Sequence, residues 1–372
     1  MTGSTSLRAG LGPALVALLI AALTAGAAIL LGGGDPLALA RLPSRDPALN
    51  EAQQAGYDGQ FIYYIALDPH PERAAAHLDV PAYRYQRILL PLLARALALG
   101  DPARLPWTIV MVTVLSLAAG AWAVGCLLAG WGVSPWYALV YGLWVGFLLA
   151  VVVDLPEPLA YGLAAGGVLA LERAGSRRGR AAGWLLLGLS LFAKETAAVF
   201  LAGVLLTNLL QRRWGELVGA ALLAGLPFAL FQGWLWLVFG RPGLGSGGAM
   251  ATPFELIPFM GLLRIGQYSP LYLLAMALVF GPAVALPSLW GIWAAARRLL
   301  SGETGLVVSL LLLNALVIPF TPFSTFRETG GMLRFASGLV LALLLFAARY
   351  KVRRALNYSV FWIVLNVFLL KS

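Results

Sequence analysis

The chain is a succession of long apolar runs separated by short polar stretches. Eleven runs stand out, at roughly 11–33, 105–130, 135–153, 158–173, 181–193, 196–211, 216–239, 271–297, 304–320, 334–349 and 357–370. Most approach the length of about 20 residues that a helix needs to cross a bilayer. The pattern predicts an all-α polytopic membrane protein, a bundle of about eleven transmembrane helices forming a single membrane domain over 1–372. A transmembrane β-barrel is excluded, because its strands alternate apolar and polar positions. The runs 181–193 and 196–211 are short for spans. They predict a pair of half-buried helices, or one helix broken around Lys194. The first run is longer than a signal-peptide core and reads as a retained anchor.

Composition supports this class. Hydrophobic residues make up 60% of the 372 and charged residues 11%, with a mean hydropathy of +0.84. A soluble domain carries about 25% charge, so a water-soluble enzyme, a disordered tail and a nucleic-acid-binding domain are excluded. The formal charge of +10 matters through its distribution. With the N-terminus in the cytoplasm, the cytoplasmic ends collect 13 basic and 3 acidic residues, and the outer ends 13 of each. The whole excess is then cytoplasmic, as the positive-inside rule expects. The single Cys126 allows no intrachain disulfide.

This sorting leaves long outer loops at 34–104, 240–270 and 321–333, and the candidate chemistry lies in or beside them. Within 34–104, Asp58 precedes a short aromatic run, Gly59 to Ala66. That run is too short to span and predicts an interfacial helix. Asp58 can cap it, and the same carboxylate can face whatever enters from the lipid. Arg84 and Arg87, three residues apart, suit a lipid-borne phosphate or ordinary headgroup anchoring. Asp154 and Glu157 flank a very short turn, where they can hold a divalent cation (Mg or Mn) through oxygen ligands or pair with arginines. Lys194 and Glu195 interrupt an apolar stretch, where charge is expensive unless paired or ligand-bound. Arg327 and Arg334 bracket a Gly pair in a turn that can bind an anion or hold an Arg–Glu pair. The Gly-rich stretch 240–252 predicts a mobile loop. His70, His77, Asp68 and Asp79 form no zinc spacing.

Together these stretches resemble the GT-C superfamily of integral-membrane glycosyltransferases, including mannosyltransferase-like bacterial members. Tyr57-Asp58-Gly59-Gln60-Phe61-Ile62-Tyr63-Tyr64 is similar to their first outer loop, where an aromatic-Asp dipeptide precedes an aromatic-rich helix. Arg84 to Leu93 resembles the Leu-Pro-rich stretch that follows, with Arg-Ile-Leu-Leu in place of its phenylalanines. Leu191 to Thr196 is similar to a Lys-containing turn of bacterial members, and Glu157-Pro158 to the acidic position of their next outer loop.

The resemblance implies a polyprenyl-phosphate-linked sugar donor, an extracytoplasmic active site, and transfer with inversion to a glycan, lipid or protein acceptor. It implies Asp58 as the catalytic base. Arg84, Arg87, Lys194, Arg327 and Arg334 are then candidates for the donor phosphate. Tyr57, Gln60, Tyr63, Tyr64, Asp154, Glu157 and Glu195 are candidates for the substrate. The Arg-over-Lys bias with abundant Ala, Leu and Gly fits a bacterial inner membrane protein. The alternative from another class is a transporter or flippase of a lipid-linked substrate, which also needs cavity-facing charge.

Overall fold

The computed structural model describes residues 7–44 and 54–371. It is all helical, with 76% helix and no strand among the described residues. In chain order the helices used below are α1 (Leu11–Leu31), α2 (Gly59–Leu67), α3 (Pro81–Tyr85), α4 (Leu89–Leu97), α5 (Leu105–Gly130), α6 (Val145–Val151), α7 (Glu157–Glu172), α8 (Arg177–Ala193), α9 (Ala198–Leu210), α10 (Trp214–Phe239), α11 (Pro270–Leu300), α12 (Leu306–Val317), α13 (Phe323–Arg327), α14 (Thr329–Phe335), α15 (Ser337–Arg349) and α16 (Arg353–Val360).

Four helices are long and apolar enough to cross a membrane alone: 7–31, which contains α1, then α5, α10 and α11. A fifth span results if α14 and α15, bent by 41° at their junction, count as one. Each apolar run of the sequence falls on helical structure, several of them as short or broken pieces. Run 135–153 breaks at Trp144, whose extended backbone (ψ 123°) precedes α6. The buried Trp144 ring donates from Nε1 to Leu333 O and Ser337 Oγ, both at 3.1 Å, so side-chain hydrogen bonding holds the break. α10 and α11 are continuous but carry π-bulges at Ala221–Gly225 and Gly281–Ala285. Pro227 follows the first and Pro282 lies in the second, and each removes one donor from the helical ladder.

The packing has a membrane character. α1 turns Ala14, Ala17, Ala21 and Ala25 inward and leaves Leu11, Leu15, Leu19 and Leu23 exposed. In lipid, leucine gains little by hiding, and small residues let helices approach closely. α5 packs against α1 and α7, α7 against α8, and α12 lies between α9, α11 and α15. Rings of Tyr141, Phe147, Tyr161 and Phe200 run through the bundle at successive centroid distances of 4.7, 5.8 and 6.0 Å.

The helix ends sort onto two faces. Trp122 Nε1 donates to Leu7 O (3.1 Å), Arg173 Nη2 to Cys126 O (3.3 Å) and Gln211 Nε2 to Thr304 O (2.6 Å). The Arg298 guanidinium covers the Tyr350 ring at 4.1 Å. The basic turns thus gather at one end of the bundle. The described residues of 34–104 and the turns after α6, α8, α10 and α12 gather at the other.

Helix α2 buries one face against the protein. Phe61, Ile62, Ile65 and Ala66 are buried in the protein. Its first residue fits only as glycine, because a Cβ on Gly59 would lie 2.4 Å from Val153 O and 3.2 Å from Ala40 O. Both neighbours are backbone and cannot swing away. Gly59→Ala is expected to cost about 1–3 kcal/mol of stability, read as a lower unfolding temperature in detergent.

Candidate functional site

At the non-basic end, α2, α3, the α8–α9 turn, the start of α7, residues 244–254 and the α12–α15 region enclose a cavity of about 920 Å³. This falls within the usual range for small-molecule sites, about 300–1,000 Å³. Arg84, Arg87, Lys194, Arg327 and Arg334 line it, as do Asp58, Asp79, Glu157, Glu195 and Glu328. Formal charge therefore cancels among these residues. All but Arg327 are tied into three groups.

The first group is built on Arg84. It forms a bidentate pair with Asp79, Nε to Oδ1 at 2.7 Å and Nη2 to Oδ2 at 2.9 Å. Its remaining nitrogen, Nη1, lies 3.0 Å from Asp58 Oδ1. The guanidinium stacks over Phe61, one helical turn beyond Asp58, at 4.2 Å. Asp58 stands at the N-cap of α2 but makes no side-chain cap bond. The carboxylate instead faces the cavity, and no described residue hydrogen-bonds its Oδ2. Burial works to raise the Asp58 carboxyl. The guanidiniums of Arg84, Arg334 and Arg87 outweigh it and hold the group below its ordinary value. Asp79 is also partly desolvated, yet the Arg84 bonds and the Ala249 N–H bring it down to about 2.

The second group joins Arg87 Nε and Nη2 to Glu195 Oε2 and Oε1 (2.9 and 2.5 Å), with Nη2 also donating to Tyr83 Oη at 2.5 Å. The third centres on Glu157. Its Oε1 accepts from Lys194 Nζ at 2.5 Å and lies 3.5 Å from Arg334 Nη1. Arg334 Nη2 donates to Tyr57 Oη (2.6 Å) and to Glu328 Oε1 (3.3 Å), and the Tyr57 hydroxyl donates to Glu328. Lys194 reaches Glu157 because the chain is extended between α8 and α9 (φ −155°, ψ 129°). Glu157 Oε2 is buried and has no hydrogen-bond partner among the described residues.

Arg327 differs. It is exposed on the cavity wall, stacks over Phe323 at 5.7 Å and has no carboxylate within 4.0 Å among the described residues. It is the lining cation most available to an incoming anion.

Stretch 240–252, read from its glycines as a mobile loop, is tied to its surroundings by three hydrogen bonds. Leu244 N donates to Gln232 Oε1 (2.9 Å), Ala249 N to Asp79 Oδ2 (3.0 Å) and Thr252 N to Ser324 Oγ (3.1 Å). It forms one wall of the cavity and is followed by exposed Phe254, Leu256 and Ile257.

The structure thus brings together Asp58, Arg84, Arg87, Glu157, Lys194, Glu195, Arg327 and Arg334, and places Tyr57 behind them. Four other expected residues lie away from the cavity lining. Gln60 is buried and donates to Ala55 O at 3.2 Å. Tyr64 stacks on His77 at 4.6 Å, and Tyr63 packs beside Tyr64 at 5.8 Å. Asp154 is fully buried, with neither carboxylate oxygen partnered. It therefore does not join Glu157 in a cation site. No group of three or more His, Cys, Asp or Glu is placed to hold a metal among the described residues, and the carboxylates of the cavity are engaged by cations. A resident Mg or Mn does not fit this donor set.

Asp79, Glu328 and Tyr83 are site residues that the sequence reading left as loop. An acidic residue five positions before Arg84, and another six before Arg334, were the signals available.

Burial alone pushes the Asp154 carboxyl well above its ordinary value, which favours its protonated form in the folded state. The folded state then keeps a proton that the unfolded chain loses near pH 4. Its stabilising contribution is complete below that pH and declines as pH rises. Asn tolerates the positive φ of 51° at this position. Asp154→Asn is expected to lose this component, so the stability difference between wild type and variant, read by thermal unfolding from pH 4 to 7, shifts steadily in favour of the variant.

No protein-family model, curated protein or solved structure matches this chain.

Proposed function

We propose that the chain is a GT-C-type glycosyltransferase that moves a sugar from a polyprenyl-phosphate donor to a hydroxyl of an extracytoplasmic acceptor. The observation that carries this reading is the free Oδ2 of Asp58 facing a cavity that also holds an unpaired cation, Arg327. A carboxylate able to accept a proton and a cation able to accept a phosphate are what the transfer needs on its two sides.

The acceptor oxygen bonds to the anomeric carbon as the carbon–oxygen bond to phosphate breaks. The hydroxyl proton passes to Asp58 Oδ2, and polyprenyl phosphate leaves with the bonding electrons. One displacement inverts the anomeric centre. Arg327 receives the leaving phosphate, with Arg84, Arg87, Lys194 and Arg334 supplying a fixed positive field. The exposed apolar residues Phe254, Leu256 and Ile257 border the route of the prenyl chain. In this reading the chain crosses a bacterial inner membrane about eleven times, with the N-terminus and the basic face cytoplasmic and the cavity outside.

One-sidedness of the acidic residues, 13 of 16 at the outer ends, favours chemistry at a surface over passage through the bilayer, which is why the transporter reading ranks second. The test is release of free polyprenyl phosphate by the purified protein in lipid, across a panel of polyprenyl-phosphate sugars with short acceptor glycans. Release from one donor supports the reading, and that donor names the sugar. No release from any pair, with a folded protein, turns the assignment to a lipid-linked transporter. Arg327→Ala is expected to raise KM for the active donor roughly 10- to 100-fold, the worth of one charge-assisted bond.

A further inference from the structure

A second cavity, of about 650 Å³, lies at the basic end of the bundle between α8 and α10. Its lining includes Arg177, Arg180, Trp184, Arg213, Trp214 and Glu216. Of its three guanidiniums, two share one carboxylate and the third has none. Glu216 lies 3.5 Å from Arg180 and 3.9 Å from Arg213, and Arg177 has no carboxylate within reach among the described residues. The first turn of α8 carries no acidic residue, so the arginines stand at the positive end of a helix, where cations are disfavoured. The pocket therefore holds uncompensated positive charge, and planar guanidiniums match phosphate.

Three features select a lipid phosphate over a dissolved one. The cavity lies at the ends of two apolar helices, α10 being a candidate span. Trp184 and Trp214 line it, and Trp is favoured at headgroup depth. Trp184 is buried against Gly219, where a Cβ would come within 2.7 Å of the ring, while Trp214 is exposed. Two apolar stripes then lead away from the pocket along the bundle: Leu185 and Leu189 on α8, and Val218 and Leu222 on α10, all exposed. The i, i+4 spacing continues from the lining residues Ala181 and Trp214 and gives each acyl chain a straight track.

We propose that this cavity binds the phosphodiester headgroup of an anionic membrane glycerophospholipid, with the acyl chains along α8 and α10. The site is separate from the charged cavity at the opposite end and does not depend on the activity assigned to it.

The test is native mass spectrometry of the full chain in detergent, titrated with phosphatidylglycerol or phosphatidylcholine. Wild type is expected to retain one phosphatidylglycerol in preference to phosphatidylcholine. The triple variant Arg177→Gln, Arg180→Gln, Arg213→Gln should bind it roughly a hundredfold more weakly, at about fivefold for each cation. The Arg→Lys triple keeps the charge and should retain the preference, which separates charge from misfolding. Arg353→Gln with Arg354→Gln, on the same face but outside the pocket, should bind as wild type does. Equal loss in this control would overturn the proposal, as would equal retention of the two lipids by wild type. Displacement of the lipid by millimolar inorganic phosphate would also overturn it, in favour of a free-anion site.

Discussion

Asp58→Asn is expected to lower the rate of sugar transfer by roughly 10²–10⁴-fold, the usual contribution of a positioned base, with little change in donor KM. The substitution is informative because the structure keeps it from doing much else. Asp58 makes no cap bond to α2, so the helix does not lose one. Its ion-pair partner Arg84 retains both bonds to Asp79, at 2.7 and 2.9 Å, so no buried cation is left alone. An Asp79 substitution lacks this clarity, since it would release Arg84 and also untie Ala249. The measurement is turnover of the active donor by wild type and variant in the same lipid, beside their thermal unfolding. Wild-type turnover by a folded Asp58→Asn would end the base assignment.

The pH profile gives a second reading of the same residue. Burial raises the Asp58 carboxyl, but Arg84, Arg334 and Arg87 more than offset it and hold the group below its ordinary value. The base is then ionised throughout the neutral and mildly acidic range. Turnover should stay flat there and fall only as the pH drops below the ordinary Asp value of about 3.9. A carboxylate this weakly basic suits an oxocarbenium-like transition state. In such a state the attacking hydroxyl becomes acidic as its bond to carbon forms, and the proton moves late.

The sequence disclosed the helical class and most of the charged wall, for a simple reason. A charge beside an apolar run is costly, so each such residue announces itself without knowledge of its partner. Arg84, Arg87, Glu157, Lys194 and Glu195 were found this way, Asp58 from the aromatic run it precedes, and Arg327 and Arg334 from the Gly pair between them; all meet in one cavity. The partners themselves were hidden, because pairing is decided by tertiary geometry. Arg87 meets Glu195 across 108 positions, and Tyr57 meets Arg334 across 277. Asp154 misled because sequence proximity to Glu157 says nothing about direction. At φ 51° the backbone turns, and only Glu157 lines the cavity. The tyrosines misled because an aromatic run declares burial, and neighbours in a helix point different ways. Helix breaks at Trp144 and Ala336 lie inside apolar stretches, where periodicity carries no boundary signal, whereas the break at Lys194 was one of the two forms its charge predicted.

The largest stability effect is expected at Glu157. This carboxylate is fully buried and one of its oxygens serves both Lys194, at 2.5 Å, and Arg334, at 3.5 Å. Removing one member of a buried ion pair typically costs about 3–5 kcal/mol, because the charge left behind stays desolvated. The two cations would not suffer equally in Glu157→Gln. Arg334 keeps Tyr57 and Glu328, whereas Lys194 loses the one carboxylate it touches. The loss should therefore depend on Lys194. Lys194→Met alone leaves Glu157 paired with Arg334 and should cost less than Glu157→Gln. In the double variant neither stranded charge remains, and stability should recover well above that of Glu157→Gln. Unfolding in a graded detergent series would read the cycle. Additive losses, with no recovery in the double variant, would show that the pair is not coupled. Recovery would show that Lys194 is held in the wall by Glu157 and by nothing else. That coupling would make the cavity a pre-formed one, its positive field set by the fold before any donor arrives.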